Sequence, residues 1–346
     1  MAERIVVTGS AGMLGGELVR HFVGEGRDVL GVDLRPSSGS EEGWQQRIGD
    51  IRDTAMLTKA TAGADAVVHC AGALPTYPAA QIHDLIVQGT RSVLEAGRRA
   101  GVERVVHISS TAVYGLPKLV PTPEDHPREP VDPYTRAKSA AEEAAEKYRA
   151  DGMCIPILRP KTFVGPGRMG LFAMLFEWAD EGRNFPVLGD GNTRNQMLAI
   201  EDLVDAVVGV LSAPADVADD TYNIAAAEFD TVRENFQAVL DAAGHGKRVV
   251  SLPARPALGA LRILERMRLS PVYGRLAHKL LDDSYVSIDK ARDRLGFQPR
   301  LSNREAILRT YEWWQEQRRE GASGRAGRTS RDAWGQGALS LAKIFF

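Results

Sequence analysis

The chain has 346 residues, of which 44% are apolar and 25% are charged, a composition typical of a globular protein with about two domains. Its formal net charge of −2 at pH 7 excludes a global positive field that would attract nucleic acid or anionic lipid. The first residues lack the basic and apolar regions of a signal peptide, and no apolar run approaches the roughly 20 residues that span a bilayer, so we expect a cytoplasmic protein without membrane contact.

The first half of the chain alternates short β-branched runs with longer segments of helical period. Strands are predicted over residues 4–8, 28–33, 46–49, 66–70, 104–109 and 153–159. Helices are predicted over residues 13–24, 54–61, 80–100 and 133–150. Such alternation is typical of parallel strands joined by crossover helices, so we expect an α/β fold with a doubly wound parallel sheet whose strand ends carry the chemistry.

The second half of the chain is less regular. After Pro160, helices are predicted over residues 171–182, 231–243 and 301–319, separated by short strands and proline-containing loops. Trp313 and Trp314 lie near the end of the last helix, and we expect both to pack in a core. The predicted division is a dinucleotide-binding domain over 1–160, completed by returning segments from the C-terminal half, a mixed α/β substrate domain over 161–320 and a flexible tail over 321–346.

A glycine-rich loop follows the first predicted strand and opens the first helix. It reads Gly9-Ser10-Ala11-Gly12-Met13-Leu14-Gly15. Glycines let the backbone turn tightly and approach a pyrophosphate, whose charge the N–H groups and the positive dipole of a helix start attract. The spacing also fits an ordinary glycine-rich turn, so the cofactor interpretation depends on the strand ends that follow.

Residues at the next strand ends complete a predicted dinucleotide site. Asp33 lies about 20 residues beyond the loop, where a carboxylate accepts hydrogen bonds from both adenosine ribose hydroxyls, which favours NAD. Arg35 could instead pair with the 2′-phosphate of NADP, but the Asp33 carboxylate would repel that dianion. The remaining predicted contacts are Asp50 with the adenine amino group, Ile51 with the adenine ring, and the small segment Cys70-Ala71-Gly72, which leaves room for the dinucleotide.

Tyr134 and Lys138 begin the helix predicted over 133–150, and their spacing of four places both side chains on one helical face. A phenol has an ordinary pKa of about 10, so it is protonated and a poor base at neutral pH. A nearby ammonium group favours the phenolate, so Tyr134 could accept and return a substrate proton while Lys138 also holds the nicotinamide ribose hydroxyls. By itself, the pair could equally be a surface tyrosine beside a solvated lysine.

A second motif makes the catalytic interpretation stronger. The fifth predicted strand ends in Ile108-Ser109-Ser110-Thr111-Ala112-Val113-Tyr114-Gly115. This segment places hydroxyl groups at the carboxyl edge of the sheet, beside the expected nicotinamide. A serine hydroxyl at this edge can donate a hydrogen bond to the substrate oxygen as its charge changes.

These motifs occur in the order of the extended short-chain dehydrogenase/reductases, which the sequence resembles over about residues 3–320. Further matching segments are Leu158-Arg159-Pro160 and Gly165-Pro166-Gly167. The resemblance implies a Rossmann-type sheet, a smaller C-terminal substrate domain and a homodimer formed through the helices over 80–100 and 133–150. It also implies Ser110 as the catalytic hydroxyl, with Thr111 as the nearest rival, and cofactor contacts at Ser109 and Pro160.

The two residues after Ser110 narrow the reaction. In the 4,6-dehydratases of this group an Asp-Glu pair stands there, and the decarboxylases keep a Glu at the second position. Thr111 and Ala112 occupy these positions here, and neither can act as a general acid or base. The reactions that remain are 4-epimerisation through a keto intermediate and a one-way dehydrogenase or ketoreductase reaction, both with Tyr134 as the acid/base.

The substrate side departs from the family pattern. Thr162 stands where sugar-nucleotide epimerases resemble one another in having an Asn, and Asn195 occupies the position of an Arg that often contacts a diphosphate. Arg194 lies one residue earlier and could restore that contact. The predicted substrate-binding residues are Thr111, Thr162, Arg168 and Arg194, with Lys161 as a further member of a basic pocket. Ile86 replaces a frequent family Asn, which predicts the loss of one cofactor hydrogen bond.

Three functions remain open. The first is an NAD-dependent 4-epimerase of a nucleotide sugar, and the second is an NAD(P)-dependent dehydrogenase or ketoreductase for a nucleotide sugar or a non-nucleotide alcohol, such as a sterol-like or polyketide substrate. The third is a non-catalytic NAD(P)-sensing protein, against which the intact Ser110, Tyr134 and Lys138 set weighs. None of the three requires a nucleic acid or membrane partner.

The histidines, cysteines and charged doublets are predicted to be structural. The seven histidines show no metal-ligand spacing, so no metal is expected, and His69 and His107 are interpreted as hydrogen-bonded core residues. Cys70 and Cys154 lie in apolar runs, which predicts core thiols in a reducing compartment rather than a disulfide. The doublets predicted to be solvated helix faces are Arg98-Arg99 and Glu142-Glu143.

Overall fold

The computed structural model describes residues 3–37, 43–167, 172–256, 258–259 and 281–320. Its strands are β1 (Arg4–Thr8), β2 (Asp28–Asp33), β3 (Trp44–Ile48), β4 (Ala66–His69), β5 (Arg104–Ile108), β6 (Ile157–Pro160), β7 (Phe163–Val164), β8 (Phe185–Leu188), β9 (Leu198–Ala199), β10 (Thr221–Ile224) and β11 (Val249–Leu252). Its helices are α1 (Met13–Gly24), α2 (Thr54–Thr61), α3 (Ala79–His83), α4 (Gly89–Ala100), α5 (Pro133–Ala150), α6 (Phe172–Asp180), α7 (Ile200–Ser212), α8 (Ala215–Ala218), α9 (Val232–Ala242), α10 (Asp289–Leu295) and α11 (Asn303–Arg319). The predicted tail over 321–346 lies outside the described residues.

A parallel sheet of seven strands organises the described residues, in the order β10-β6-β5-β4-β1-β2-β3. The chain winds in opposite directions from β1, so the strand order reverses between β1 and β4. Ligands of such sheets bind in the crevice outside the carboxyl ends of the strands at that reversal. The predicted doubly wound α/β fold is therefore confirmed, and β10, from the second half of the chain, forms one edge of the sheet.

Apolar residues of the sheet bury both of its faces. In β1, Ile5 and Val7 face a core that includes α1 and α7, whereas Val6 faces a second core that includes α2 and α4. All three side chains are completely buried. A strand that is buried on both faces needs a continuous apolar run rather than an alternating one, and β1 has such a run in Ile5-Val6-Val7.

A separate core lies in the second half of the chain, around the small parallel sheet of β8 and β11. Helices α6, α9 and α11 contribute to it, and Phe176, Tyr311 and Trp314 pack there with ring centroids 5.3–5.9 Å apart. Trp314 is buried and Trp313 is partly buried against the same cluster. The predicted core role of the tryptophan pair is confirmed.

Two predicted elements differ from the structure. The strand predicted over 153–159 begins only at Ile157, because Pro156 has no N–H to donate to a ladder, although the carbonyls of Cys154 and Pro156 accept hydrogen bonds from β5. The single helix predicted over 80–100 is divided into α3 and α4 by a π-helical turn, Asp84–Gln88. The other predicted boundaries differ by no more than two residues, within the usual uncertainty of helix and strand ends.

The described residues also bear on membrane and metal binding. None of the helices in this part of the chain is long and apolar enough to cross a membrane. The same residues contain no group of three or more His, Cys, Asp or Glu side chains that could hold a metal ion. Cys70 and Cys154 are free thiols, and Cys70 packs against the main core.

Candidate active site

The glycine loop between β1 and α1 is a tight backbone turn at the reversal point of the sheet. Gly9 has a positive φ of 75°, and its N–H donates to the carbonyl of Val32 over 2.8 Å. A Cβ atom on Gly9 would lie 2.8 Å from the backbone nitrogen of Ala71, and one on Gly15 would lie 2.1 Å from the carbonyl oxygen of Gly9. The loop can close onto the ends of β2 and β4 only because these positions lack side chains.

Asp33 at the end of β2 is joined to this loop. Its carboxylate accepts one hydrogen bond from the N–H of Ala11 and another from the N–H of Arg35, both over 3.0 Å. A carboxylate can accept about four hydrogen bonds, so Asp33 retains acceptor capacity for ribose hydroxyls. The residue therefore lies where the cofactor interpretation requires it, next to the start of α1.

The two residues predicted to contact adenine lie in different surroundings. Arg52 donates to both carboxylate oxygens of Asp50 at distances of 2.6–3.1 Å, and this hydrogen bonding lowers the pKa of Asp50 below its ordinary value. Ile51 is buried, and a Cβ on Gly89 of α4 would lie 2.4 Å from its Cδ1 atom. The structure thus places Ile51 in the core between the sheet and α4, and its contact with adenine stays a prediction.

Two buried histidines lie side by side beneath the cofactor loop, with ring centroids 5.7 Å apart. The Nδ1 atom of His69 is 2.8 Å from the hydroxyl of Thr8, and its Nε2 atom is 3.1 Å from the hydroxyl of Thr90. The predicted hydrogen-bonded core role is confirmed for His69, which ties the last residue of β1 to α4. His107 is buried in the core as predicted, but neither ring nitrogen has a hydrogen-bond partner among the described residues. Burial lowers the pKa of His107 to about 3, so the ring stays neutral.

The residues after β5 form a short 3-10 turn, Thr111–Tyr114, that begins at Ser110. The Ser110 hydroxyl accepts a hydrogen bond from the N–H of Ala112 over 3.1 Å, so its own proton can be donated to another oxygen. Thr111 is buried, and its hydroxyl donates to the Pro160 carbonyl over 3.4 Å. Of the two candidate hydroxyls, Ser110 is the half-buried one at the carboxyl edge of the sheet.

Helix α5 starts with a capping box, which fixes where Tyr134 stands. The Asp132 side chain accepts from the N–H of Thr135 over 2.8 Å, and the Thr135 hydroxyl accepts from the N–H of Asp132 over 2.9 Å. Pro133 follows as the first helical residue, a position that proline favours. Tyr134 is half-buried and packs against an apolar cluster that includes Ala73 and Ile86.

Lys138 follows one turn later on α5 and reaches the end of β5. It is 8% exposed, and its Nζ donates to the carbonyl of Ile108 over 2.8 Å, two residues before Ser110. Burial lowers the pKa of Lys138 to about 8, although the charge of Glu142 acts to raise it. The structure therefore brings Lys138 and the backbone that carries Ser110 together, beneath the first turn that carries Tyr134.

Glu142 occupies the next turn of the same helix face, and the prediction that it is solvated is wrong. Its side chain is completely buried, whereas Glu143 is exposed, as expected, and so are Arg98 and Arg99. Arg159 of β6 donates to both Glu142 oxygens at 2.7–3.2 Å. The spacing of four from Lys138 was a sequence signal for this burial, because it places Glu142 on the face that α5 turns toward the sheet.

Two of the residues predicted to bind substrate, Arg194 and Lys161, contact residues 284–285 of the second half of the chain. The Arg194 guanidinium lies over the rings of Phe229 and Tyr285, 4.7 and 5.3 Å from their centroids. Lys161 is buried, and its Nζ donates to the carbonyl and hydroxyl oxygens of Ser284, each over 2.8 Å. Thr162 is exposed, and Arg168 lies outside the described residues. Arg194 and Lys161 therefore both contact the segment over 284–285, and Lys161 secures it.

Comparison with known proteins identifies relatives of this arrangement. Residues 5–225 match the model of the NAD dependent epimerase/dehydratase family. The chain is 30% identical to the UDP-glucose 4-epimerase of Mycolicibacterium smegmatis, covering 90% of this chain and 98% of that protein. It is also 30% identical to a 3 beta-hydroxysteroid dehydrogenase/Delta 5-->4-isomerase of Mycobacterium tuberculosis, covering 88% of each. The structure of DesIV, the dTDP-glucose 4,6-dehydratase from Streptomyces venezuelae with NAD and TYD bound, superposes with a TM-score of 0.74 and 25% identity, covering 92% of this chain and 98% of that one.

Proposed function

The chain belongs to the NAD-dependent epimerase/dehydratase family of extended short-chain dehydrogenase/reductases, and on that premise we propose that it is an NAD-dependent 4-epimerase of a nucleotide sugar. The main structural support for the proposal is the hydrogen bond from Lys138 to the Ile108 carbonyl. This bond holds the lysine of α5 close to the end of β5, two residues before Ser110. The UDP-glucose 4-epimerase of M. smegmatis supports the choice of reaction and substrate class.

The residues at the sheet reversal fit NAD. Gly9 and Gly15 let the loop close tightly, because a Cβ on either residue would meet backbone atoms at 2.1–2.8 Å, and the N–H groups at the start of α1 favour a pyrophosphate there. The Asp33 carboxylate would accept hydrogen bonds from the adenosine ribose hydroxyls and would repel the extra phosphate of NADP. The chemistry that bound NAD supplies is the reversible acceptance of a hydride.

The proton chemistry falls to three side chains. Tyr134 removes the proton from the substrate hydroxyl while the carbon that bears this hydroxyl loses a hydride and becomes a ketone. Tyr134 returns the proton when a hydride is added to the opposite face of the ketone. Ser110 donates a hydrogen bond to the same oxygen, whose charge changes during the step. The Lys138 ammonium favours the phenolate form of Tyr134 and holds the nicotinamide ribose.

The surroundings of Ser110 argue against elimination of water. Thr111 and Ala112, which follow it, are both buried in the 3-10 turn and carry no carboxyl group. A dehydratase needs a proton donor and a base near the sugar carbon in addition to the tyrosine. Epimerisation and simple oxidation or reduction need only the groups described above.

The proposal predicts that the purified protein carries NAD⁺. An epimerase recycles its hydride internally, so it gains nothing from releasing the cofactor between turnovers. We expect near-stoichiometric NAD⁺ when protein purified without added cofactor is denatured and the supernatant is separated by chromatography. An empty site that binds NADPH reversibly would contradict the epimerase proposal and favour an external-cofactor ketoreductase.

That second candidate, a dehydrogenase or ketoreductase for a non-nucleotide alcohol, is supported by one structural observation. Leu116, Leu119 and Val131 are 42–56% exposed on the loop between the 3-10 turn and α5, which leads directly to Tyr134. Exposed apolar side chains near a site suit an apolar substrate better than a sugar. The M. tuberculosis steroid dehydrogenase is a relative of that kind at the same identity as the M. smegmatis epimerase.

Arg194→Ala distinguishes the two candidates. If Arg194 contacts a substrate diphosphate, its removal should raise KM for UDP-glucose about tenfold to a hundredfold, the usual range for one charged hydrogen-bonding group. Arg194→Lys should recover part of the loss, because it keeps the charge without the planar fork. Arg183→Ala, which removes a partly exposed arginine paired with Glu181, is the matched control. Equal KM values in all of these variants would refute the diphosphate role.

We also propose that the enzyme acts in the cytoplasm as a homodimer. The family resemblance assigns the dimer contact to the helices over 80–100 and 133–150, which are α3, α4 and α5, and both α3 and α4 pack against α5. Sedimentation of the purified protein tests the assembly, and a monomer at micromolar concentration would contradict it.

A further inference from the structure

Glu142 joins four parts of the active-site framework. It lies on α5, and its carboxylate accepts hydrogen bonds from Ser109 at the end of β5, from Arg159 of β6 and from Arg128 of the loop before α5. The distances from the two arginines are 2.7–3.2 Å.

The ion pair between Glu142 and Arg159 is itself held in a larger polar network. Arg159 also donates to the Tyr114 hydroxyl over 2.8 Å and to the Glu124 carbonyl over 2.9 Å. The Tyr114 hydroxyl in turn donates to the Asn223 side chain of β10 over 2.8 Å. A buried ion pair contributes little net stability compared with apolar residues of the same volume, so its presence beside a catalytic site calls for another role.

One hydrogen bond and one electrostatic interaction connect Glu142 with the catalytic groups. Ser109 directly precedes Ser110 in the chain, so a fixed Ser109 side chain fixes the backbone from which Ser110 extends. Lys138 lies one helical turn before Glu142 on the same face, and the negative charge of Glu142 stabilises its ammonium form.

Lys138 has few other neighbours that could hold its charge. The titratable groups that interact with it from the packed strands are His69 and Cys70 at the end of β4 and His107 of β5. Burial lowers the pKa of both histidines and raises the pKa of Cys70 to about 12, so all three are neutral near pH 7. Among the described groups that act on Lys138, Glu142 therefore supplies a negative charge, whereas these three residues do not.

We propose that Glu142 is a positioning residue of the catalytic site, which fixes Ser110 through Ser109 and keeps the ammonium of Lys138 in place through its charge. The inference rests on the proposed function only in assigning catalytic roles to Ser110 and Lys138. Glu142 itself touches neither substrate nor cofactor, and it acts through these two residues.

The electrostatic part is tested by the pH dependence of NADH binding. In the wild type, affinity should fall above pH about 8, as Lys138 loses its proton. In Glu142→Gln the ammonium loses its opposite charge, so its pKa falls further and the loss of affinity should begin about one pH unit lower. Fluorescence titration with NADH of protein freed of bound cofactor, across the neutral and alkaline range, measures both curves. Glu142→Asp keeps the charge and should restore the wild-type curve, and Glu143→Gln, on the exposed side of the helix, is the matched control.

A double variant separates this role from simple stabilisation. Glu142→Gln leaves Arg159 without its partner and could unfold the chain, whereas Glu142→Leu with Arg159→Met replaces the pair by apolar side chains of similar size. Because the double variant also removes the positive charge of Arg159, the proposal expects its pH curve to lie closer to the wild-type curve than that of Glu142→Gln does. A folded Glu142→Gln variant with the wild-type curve would overturn the electrostatic role.

The mechanical part has its own test. Ser109→Ala removes the hydrogen bond to Glu142 but leaves the charge, so we expect kcat with UDP-glucose to fall about tenfold and the pH curve of NADH binding to stay in place. Unchanged kcat would overturn the positioning of Ser110. A wild-type protein that binds no NADH at any pH would instead contradict the proposed function, so the two failures are distinguishable.

Discussion

Tyr134→Phe is expected to lower kcat by about 10²- to 10⁴-fold, the range for loss of a general acid/base. The substitution removes one oxygen, while the ring that packs against Ala73 and Ile86 remains. NAD content and thermal stability should therefore stay near the wild-type values. Steady-state kinetics with UDP-glucose, together with the NAD⁺ released on denaturation, measure both quantities.

Tyr148→Phe is the control for this variant. Tyr148 lies on the same helix and donates its hydroxyl proton to Glu95 over 3.1 Å, away from the sheet reversal. Its loss should leave kcat unchanged. If Tyr134→Phe retained full activity as well, Tyr134 would not be the acid/base of the reaction.

Gly15→Ala is the second substitution with a large expected effect. The added Cβ would lie 2.1 Å from the Gly9 carbonyl oxygen, far inside van der Waals contact, and that oxygen belongs to the backbone rather than to a flexible side chain. The loop must open, and a displacement of about 1 Å in a binding group can cost about 100-fold. We therefore expect NAD affinity to fall about 100-fold, as measured by calorimetric titration of protein freed of cofactor.

Gly24→Ala provides the comparison on the same helix. A Cβ at Gly24 meets no atom within 4 Å, and alanine is the better helix former. NAD affinity should be unchanged and the melting temperature unchanged or slightly higher. Wild-type affinity in Gly15→Ala would mean that the pyrophosphate does not bind at this loop.

The elements that could be predicted from the sequence are those with local signals. The bounds of β1, β2, α1, α2 and α5 agree with the prediction to the residue. For α5, the Asp-Pro start and the Asp132–Thr135 capping box are encoded within four residues. For β1, a short apolar run ends at a glycine that the following turn needs. Local chemistry suffices in such cases because no distant contact decides the outcome.

The features that could not be predicted depend on distant partners. The spacing from Lys138 places Glu142 on the inner face of α5, but the sequence does not show that Arg159 of β6 would pair with its charge there. The π-helical turn between α3 and α4 and the two-residue strands β7 and β9 likewise have no sequence signal of their own. Propensity and pattern describe neighbours in sequence, whereas these features arise from neighbours in space.

The place of β10 in the sheet has a consequence for the order in which the protein can fold during synthesis. β6 pairs with β5 on one side and with β10 on the other, and β10 ends at Ile224, more than sixty residues after β6. Until those residues have left the ribosome, β6 is an edge strand with unsatisfied backbone groups, which is a template for aggregation. The predicted dinucleotide-binding domain over 1–160 therefore lacks one strand of its sheet when β10 is absent. A fragment ending near residue 160 should require a chaperone or aggregate through the exposed edge of β6.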